Sequence, residues 1–299
     1  MKLSGLKIGH QTLTELGTGV TVFLLDDLSP CSYWLCGSAP ASRELALLEP
    51  STMIAGINAL VFAGGSAFGL AAAEGVMTWC REQGRGFPTA HGVVPIVPAG
   101  CIYDLDIKSP IAPTAQDGYA ACEAAVASNI AQGLVGVGHG ATVGKYFADA
   151  IPARGGFGYQ QITTPDGLSV VAAVVVNSIG EIRDADNQII AGARDATGQI
   201  QSIAAAIARG DVGFSDLHPV MKNTVLVAVF TNAELDKAAL QRLAKSASSG
   251  VAKAIFPSFT AYDGDIIFCT SVGKIQAEPV LLGGLAEQAV RQAIYNAVK

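Results

Sequence analysis

The alternation of apolar and polar positions divides the chain into short strands and a few longer helices. Residues 18–25 alternate and are rich in β-branched side chains, which predicts a strand, with 33–37 as a pairing partner. Residues 60–63 read as a short buried strand, and 67–83 as a helix built on small residues and stopped by Gly84. A strand is predicted over 93–97 between prolines, a helix over 115–131 ending before Gly133, and a strand over 134–137. The seven consecutive Val and Ala residues over 170–176 show no polar alternation, which suits a central strand covered on both faces.

From 181 to 210 the pattern weakens, with a helix expected near 200–208, and 211–222 reads as a loop with Pro219 just before the next element. An apolar strand follows at 224–230. Then come a helix over 233–254 with Glu234, Asp236 and Lys237 in its first turns, a strand over 265–270, and a closing helix over 279–298. There is no internal repeat and no Pro- or Ser-rich linker, so residues 1–299 are expected to form a single domain. The irregular stretch 181–223 is where the chain looks exposed enough to be cut.

Composition narrows this to a class. Half of the residues are hydrophobic and 15% are charged, with the excess in Ala, Gly and Val. That mixture fits an α/β protein in which small residues let helices lie close to buried strands. The longest uncharged stretch, from Ile57 to Glu74, approaches a membrane span in length, but Gly64-Gly65-Ser66 divides it into a strand-like and a helix-like half. Residues 1–9 carry two lysines and no apolar core, so no secretory signal is expected. A net charge of −6 argues against a nucleic-acid partner. The six cysteines contain no Cys-x-x-Cys pair and are expected to be reduced thiols. The four histidines (His10, His91, His139, His218) are scattered, so neither zinc nor another cofactor is expected. The expectation is a cytoplasmic protein without a membrane partner.

Several stretches carry candidate chemistry, each beside a plainer reading. Gly136-Val-Gly138-His-Gly140-Ala141 follows a predicted strand and fits a dinucleotide fingerprint formally, but no helix of useful length comes after it. Gly144-Lys145 resembles the end of a P-loop, yet His139 stands where the first Gly belongs and Tyr146 where the hydroxyl residue belongs. Gly64, Gly65 and Ser66 open a predicted helix, which makes them either an oxyanion or substrate-binding turn or a tight strand-to-helix connection. Lys145, in a glycine-rich turn of a chain with few charges, is either solvated or a buried amine with a depressed pKa. Asn177 ends the Val/Ala strand, where α/β sites tend to lie, or is a turn residue. Asp263 and Asp265, split by a glycine, either orient a base or make a turn. Thr224 after Asn223 heads an apolar strand. Its hydroxyl becomes a useful nucleophile if its α-amine is free, because an amine with pKa about 8 suits a general base.

Taken in order, these stretches resemble the DmpA-type family of L-aminopeptidase/D-esterases, β-peptidyl aminopeptidases and nylon-oligomer hydrolases. The resemblance runs through Gly37-Ser-Ala-Pro-Ala-Ser-Arg43-Glu44, Gly64-Gly65-Ser66-Ala67-Phe68-Gly69-Leu70 and Val94-Pro95-Ile96-Val97-Pro98. It continues in Gly138-His-Gly140-Ala-Thr142-Val-Gly144-Lys145, Val175-Val-Asn177, Asn223-Thr224 and Asp263-Gly264-Asp265-Ile-Ile-Phe268. It implies a layered sandwich of two β-sheets flanked by helices, related to that of ornithine acetyltransferases. It also implies homo-oligomers, often tetramers, and a precursor that cuts itself into 1–223 and 224–299.

By the same resemblance Thr224 is the nucleophile in amide hydrolysis of small peptides or related amides. Lys145 and Asn177 assist self-cleavage and line the oxyanion region, and Asp263 and Asp265 orient Thr224. An acyl transferase of the ornithine acetyltransferase type and a non-catalytic nucleotide-binding protein are the competing readings. The sequence departs from the family pattern at His139, where a hydroxyl residue is common, and at Cys36-Gly37-Ser38, in place of an arginine- and glycine-rich lead-in. Thr224 preceded by Asn223 sides with the nylon-oligomer hydrolases.

Overall fold

A computed structural model describes residues 3–211 and 222–299. Most of the loop expected over 211–222, with His218 and Pro219, lies outside the described residues. The strands that build the core, in chain order, are β1 (Leu6–Leu13), β2 (Thr18–Ser29), β3 (Cys31–Leu35), β4 (Ala41–Arg43), β5 (Ile57–Ala63) and β6 (Ala99–Cys101). They continue with β7 (Gly156–Thr163), β8 (Ser169–Asn177), β9 (Thr224–Ala233) and β10 (Ile266–Ile275). The helices are α1 (Ala72–Glu82), α2 (Ala115–Glu123), α3 (Ile203–Arg209), α4 (Lys237–Ala254) and α5 (Pro279–Ala297).

The strands form two five-stranded sheets, ordered β1-β2-β5-β6-β4 and β7-β8-β9-β10-β3. Successive side chains of a strand point to opposite faces, and the packing follows that period. Val171, Ala173 and Val175 of β8 meet Phe23, Leu60 and Phe62 of the first sheet, with Leu226, Phe230 and Phe268 in the same layer. Aromatic rings bridge the two sheets, with Phe23 and Phe230 centroids 5.4 Å apart and Phe62 and Phe268 5.9 Å apart. On the outer face of the second sheet, Val170, Ala172, Val174 and Val176 pack on α4 and α5. The outer face of the first sheet packs on α1 and α2 through Val22, Val61, Val76 and Ala121. The result is a helix–sheet–sheet–helix sandwich, and β8 is buried along its whole length, as its unbroken Val/Ala run predicts.

Several expected elements differ in extent or partner. Residues 33–37 do not pair with β2; the β3 strand that contains Tyr33 runs antiparallel to β10 at the edge of the second sheet. The helix expected over 115–131 ends at Glu123, because Val126 leaves it to exchange backbone hydrogen bonds with Ile8 of β1. Residues 134–137 are not a strand. Gly136 has φ +51 and starts a 3₁₀ turn, with its N–H donated to Thr12 Oγ1 and that of Val137 to Thr21 Oγ1. The strand expected over 93–97 is the shorter Gly92–Val94, which ends before Pro95. The helix expected from 67 begins as a 3₁₀ turn over Ser66–Ala71. Helix α4 starts at Lys237 rather than at Ala233, because Asp236 caps it by accepting from Ala239 N–H at 2.7 Å.

Among the described residues no helix is long and apolar enough to cross a membrane. Cys31, Cys80, Cys101, Cys122 and Cys269 are buried, and Cys36 is half-buried.

Candidate active site

The two central strands of the second sheet bring the candidate residues to one end. Asn177, the last residue of β8, stands directly opposite Thr224, the first residue of β9, in the antiparallel ladder. Strand β10 runs parallel to β9, and the turn leading into it lays Asp263 beside Asn223 in a parallel bridge. Asn177, Thr224, Asp263 and Asp265 are all buried. Lys145 reaches the same end from the turn after Gly144, whose N–H is held by Gly180 O at 3.0 Å.

Lys145 meets three acceptors, one for each N–H of an ammonium. Its Nζ donates to Asn177 Oδ1 at 2.8 Å, to the Asn177 carbonyl at 3.1 Å and to the Lys222 carbonyl at 2.8 Å. Burial pushes the Lys145 pKa down to about 7, against the opposing pull of Asp106 and Asp263. Asn177 is fixed on both sides of its amide. Its Oδ1 accepts from Thr142 N–H at 3.0 Å, and its Nδ2 donates to the Tyr103 and Lys222 carbonyls, each at 3.0 Å.

The acid pair is anchored through its backbone and its carboxylates. Cys36 and Gly37 N–H donate to the Asp265 carbonyl, and Ser38 and Ala39 N–H to that of Asp263, so the Cys36-Gly37-Ser38 lead-in braces this turn from below. Asp263 Oδ2 accepts from both the N–H and the hydroxyl of Thr260 at 2.7 Å. Asp265 Oδ1 accepts from Val225 N–H at 2.6 Å, next to Thr224. Burial raises both carboxyl pKa values, and the charge of Asp263 raises that of Asp265 further.

Gly264, between the two acids, is the feature that side-chain chemistry did not single out. Its N–H donates to the Asn223 carbonyl at 2.9 Å, and Thr224 Oγ1 donates to that same oxygen at 2.6 Å. One peptide carbonyl is thus polarised by a backbone amide and by the hydroxyl of the next residue. A Cβ on Gly264 would lie 2.8 Å from Thr224 Oγ1 and 2.6 Å from Ala39 O, so this position needs a glycine for close approach. Thr260 and Tyr103 come in only through the folded contacts, and Thr142, part of the Gly138–Lys145 motif, gains its place beside Asn177 only there. For Thr260 and Tyr103 the sequence offers only proximity to motif residues, which carries no role.

The Gly64–Ser66 turn is arranged differently from the expected oxyanion site. Gly64 N–H donates to Gly19 O, Gly65 N–H to Asp104 Oδ1 at 2.6 Å, and Ser66 N–H to Ile102 O, so all three amides are committed within the fold. Asp104 is buried there, and burial lifts its pKa to about 6. The Gly136–Gly140 stretch offers no phosphate cradle, because Gly136, Val137 and Gly138 donate to Thr12, Thr21 and Val135 and no α-helix follows. Among the described residues no group of His, Cys, Asp and Glu could hold a metal ion.

The chain has known relatives in sequence and in fold. The sequence matches the model of peptidase family S58 over residues 2–299. An uncharacterised aminopeptidase of Mycobacterium leprae is 37% identical, covering 92% of this chain and 78% of its own length. A 6-aminohexanoate-oligomer endohydrolase of Kocuria sp. is 27% identical, covering 81% of this chain and 72% of its own. Among solved structures, a β-aminopeptidase of Burkholderia sp. superposes with a TM-score of 0.72 at 20% identity, covering 99% of this chain and 84% of that one. The L-aminopeptidase D-Ala-esterase/amidase of Ochrobactrum anthropi, a variant of the Ntn hydrolase fold, gives 0.72 at 17% identity with the same coverage.

Proposed function

The chain belongs to peptidase family S58, and on that premise we propose that this amide-bond hydrolase frees its own N-terminal nucleophile by cutting the bond between Asn223 and Thr224. The observation that carries the reading is the Asn223 carbonyl oxygen, held between Thr224 Oγ1 at 2.6 Å and Gly264 N–H at 2.9 Å. Attack of Thr224 Oγ on the Asn223 carbonyl carbon moves the acyl group from nitrogen to oxygen, and Gly264 N–H stabilises the developing oxyanion. The hydroxyl proton has to leave as the C–O bond forms, and the departing nitrogen has to gain one. Lys145, with a pKa near 7, is partly neutral at physiological pH and suited to this traffic. Water then opens the ester, leaving a carboxylate on Asn223 and a free α-amine on Thr224.

In the mature enzyme that amine serves as the base for its own hydroxyl, and turnover runs through an acyl-Thr224 ester. Asn177 holds Lys145 and the upstream chain, while Asp263 and Asp265 fix the strand start around Thr224. The fragments 1–223 and 224–299 stay together, because β9 and β10 lie between β8 and β3, which come from upstream of the cut. The substrates are small peptides or related amides, linear aminohexanoate-type amides among them, and the enzyme works in the cytoplasm as a homo-oligomer, a tetramer by analogy with its family. Intact mass and SDS gel of an active preparation test the central claim: two fragments divided at Asn223–Thr224 are expected, and one persistent full-length chain overturns it.

A further inference from the structure

Lys222 and Asn223, directly upstream of Thr224, are engaged through both backbone and side chain. The Lys222 carbonyl accepts from Lys145 Nζ at 2.8 Å and Asn177 Nδ2 at 3.0 Å, and the next carbonyl, that of Asn223, accepts from Gly264 N–H. The Lys222 side chain ends on the same framework. Its Nζ lies 2.7 Å from Asp106 Oδ2 and 5.5 Å from the centroid of the Tyr103 ring, and the Tyr103 carbonyl is itself an acceptor for Asn177 Nδ2. An ion pair this exposed, at 36% and 45%, contributes little by itself. The ring adds a second attraction to the same cation, and the pinned carbonyl of Lys222 fixes the stem from which the ammonium reaches out.

We propose that Asp106 and the face of Tyr103 form a cation subsite on the acyl side of the mature enzyme, one that takes a primary ammonium on a flexible alkyl arm and whose first occupant is the chain's own Lys222. The inference rests on the self-cleavage reading: a bond cut by the enzyme's own nucleophile is its first substrate, so the groups gripping the residues before that bond mark where an acyl portion binds. The subsite selects acyl groups carrying a cation well beyond the α-carbon, such as a lysyl side chain or an ω-amino chain. Its occupant is felt at the centre, because the Lys222 charge lowers the Lys145 pKa and Asp106 raises it.

Hydrolysis of Lys-Asn-p-nitroanilide and of its norleucine-Asn counterpart, nearly the same shape without the charge, tests the subsite in the mature protein. The wild type is expected to prefer the lysyl substrate roughly 5- to 30-fold in kcat/KM, mainly through KM, with the preference shrinking as salt is added. Asp106→Asn is expected to remove most of that ratio, and Asp106→Glu to keep it. Competitive inhibition of the wild type by the free dipeptides Lys-Asn and norleucine-Asn repeats the comparison without any variant. Equal handling of the two by a cleaved, active enzyme, turnover of neither by an enzyme that hydrolyses other amides, or a preference that survives Asp106→Asn overturns the subsite. A chain that stays uncut and turns over no amide refutes the self-cleavage reading and the subsite with it, and the gel shows that outcome before any peptides are compared.

Discussion

Thr224 and Asn177 face each other across the β8–β9 ladder, the first residue of one strand opposite the last of its neighbour. Directly opposed residues of an antiparallel pair project to the same side of the sheet. The pairing therefore sets the Thr224 hydroxyl at the sheet end where Lys145 reaches Asn177 at 2.8 Å. The parallel register of β10 on β9, which pairs Ile266 with Leu226, sets Asp265 beside the N–H of Val225.

Replacing Thr224 by Ala removes the hydroxyl that donates to the Asn223 carbonyl. The purified variant is expected as one uncut chain without amide turnover. Intact mass decides, since fragments dividing at the same bond would show that another group cuts it.

Lys145→Met keeps the length of the side chain and removes its amine. Maturation is expected to slow by about 10²- to 10⁴-fold, the range typical of a lost general acid–base group. In the wild type the pKa is lowered to about 7, so the neutral amine is scarce below that pH and abundant above it. The self-cleavage rate is accordingly expected to rise as pH increases through about 7. Time courses of the two bands at several pH values check both claims, and the same pH profile in Lys145→Met would remove Lys145 from this role.

Gly264→Ala places a methyl group 2.8 Å from Thr224 Oγ1 and 2.6 Å from Ala39 O. Overpacking of this kind costs about 1–3 kcal/mol, and the shift needed to relieve it moves an N–H donor away from the Asn223 carbonyl. Loss of one such donor lowers rates by about 10²- to 10³-fold. Self-cleavage is expected to fall by that order while the variant still unfolds cooperatively; processing at the wild-type rate would rule out the Gly264 amide as a donor.

Asp265→Asn and Asp265→Ala separate support from charge. The amide oxygen of Asn can still accept from Val225 N–H, whereas Ala leaves that buried donor without its acceptor, at a cost of about 1–3 kcal/mol. Thermal unfolding is expected to show a clearly lower Tm for Ala than for Asn. Equal Tm values would mean that the bond to Val225 adds little to stability.

Strand β8, strand β9 and the helices α4 and α5 were legible in the chain because their apolar patterns are local and long. Seven Val and Ala residues in a row demand cover on both faces wherever the strand lies, and the sandwich supplies it. The family resemblance likewise rests on ordered motifs in the sequence, and it points to Thr224, Lys145, Asn177, Asp263 and Asp265. Where an element depends on a distant partner, the pattern was silent. Tyr33 sits in a strand by its own character, but only the sheet order decides that β10 and not β2 is its neighbour.

The sequence by itself thus determined the long apolar strands and helices and the α/β class, because periodicity and residue type act over a few neighbours, while the layered sandwich and the candidate site residues came from the family resemblance. The tertiary structure alone decided which backbone amides are available. It ties those of Gly64–Ser66 into the fold and aims that of Gly264 at the Asn223 carbonyl. It also decided that Lys222 lies against Asp106 and Tyr103. Every non-proline residue has the same N–H, so only the path of the chain can assign one donor to a carbonyl and bring distant charges together.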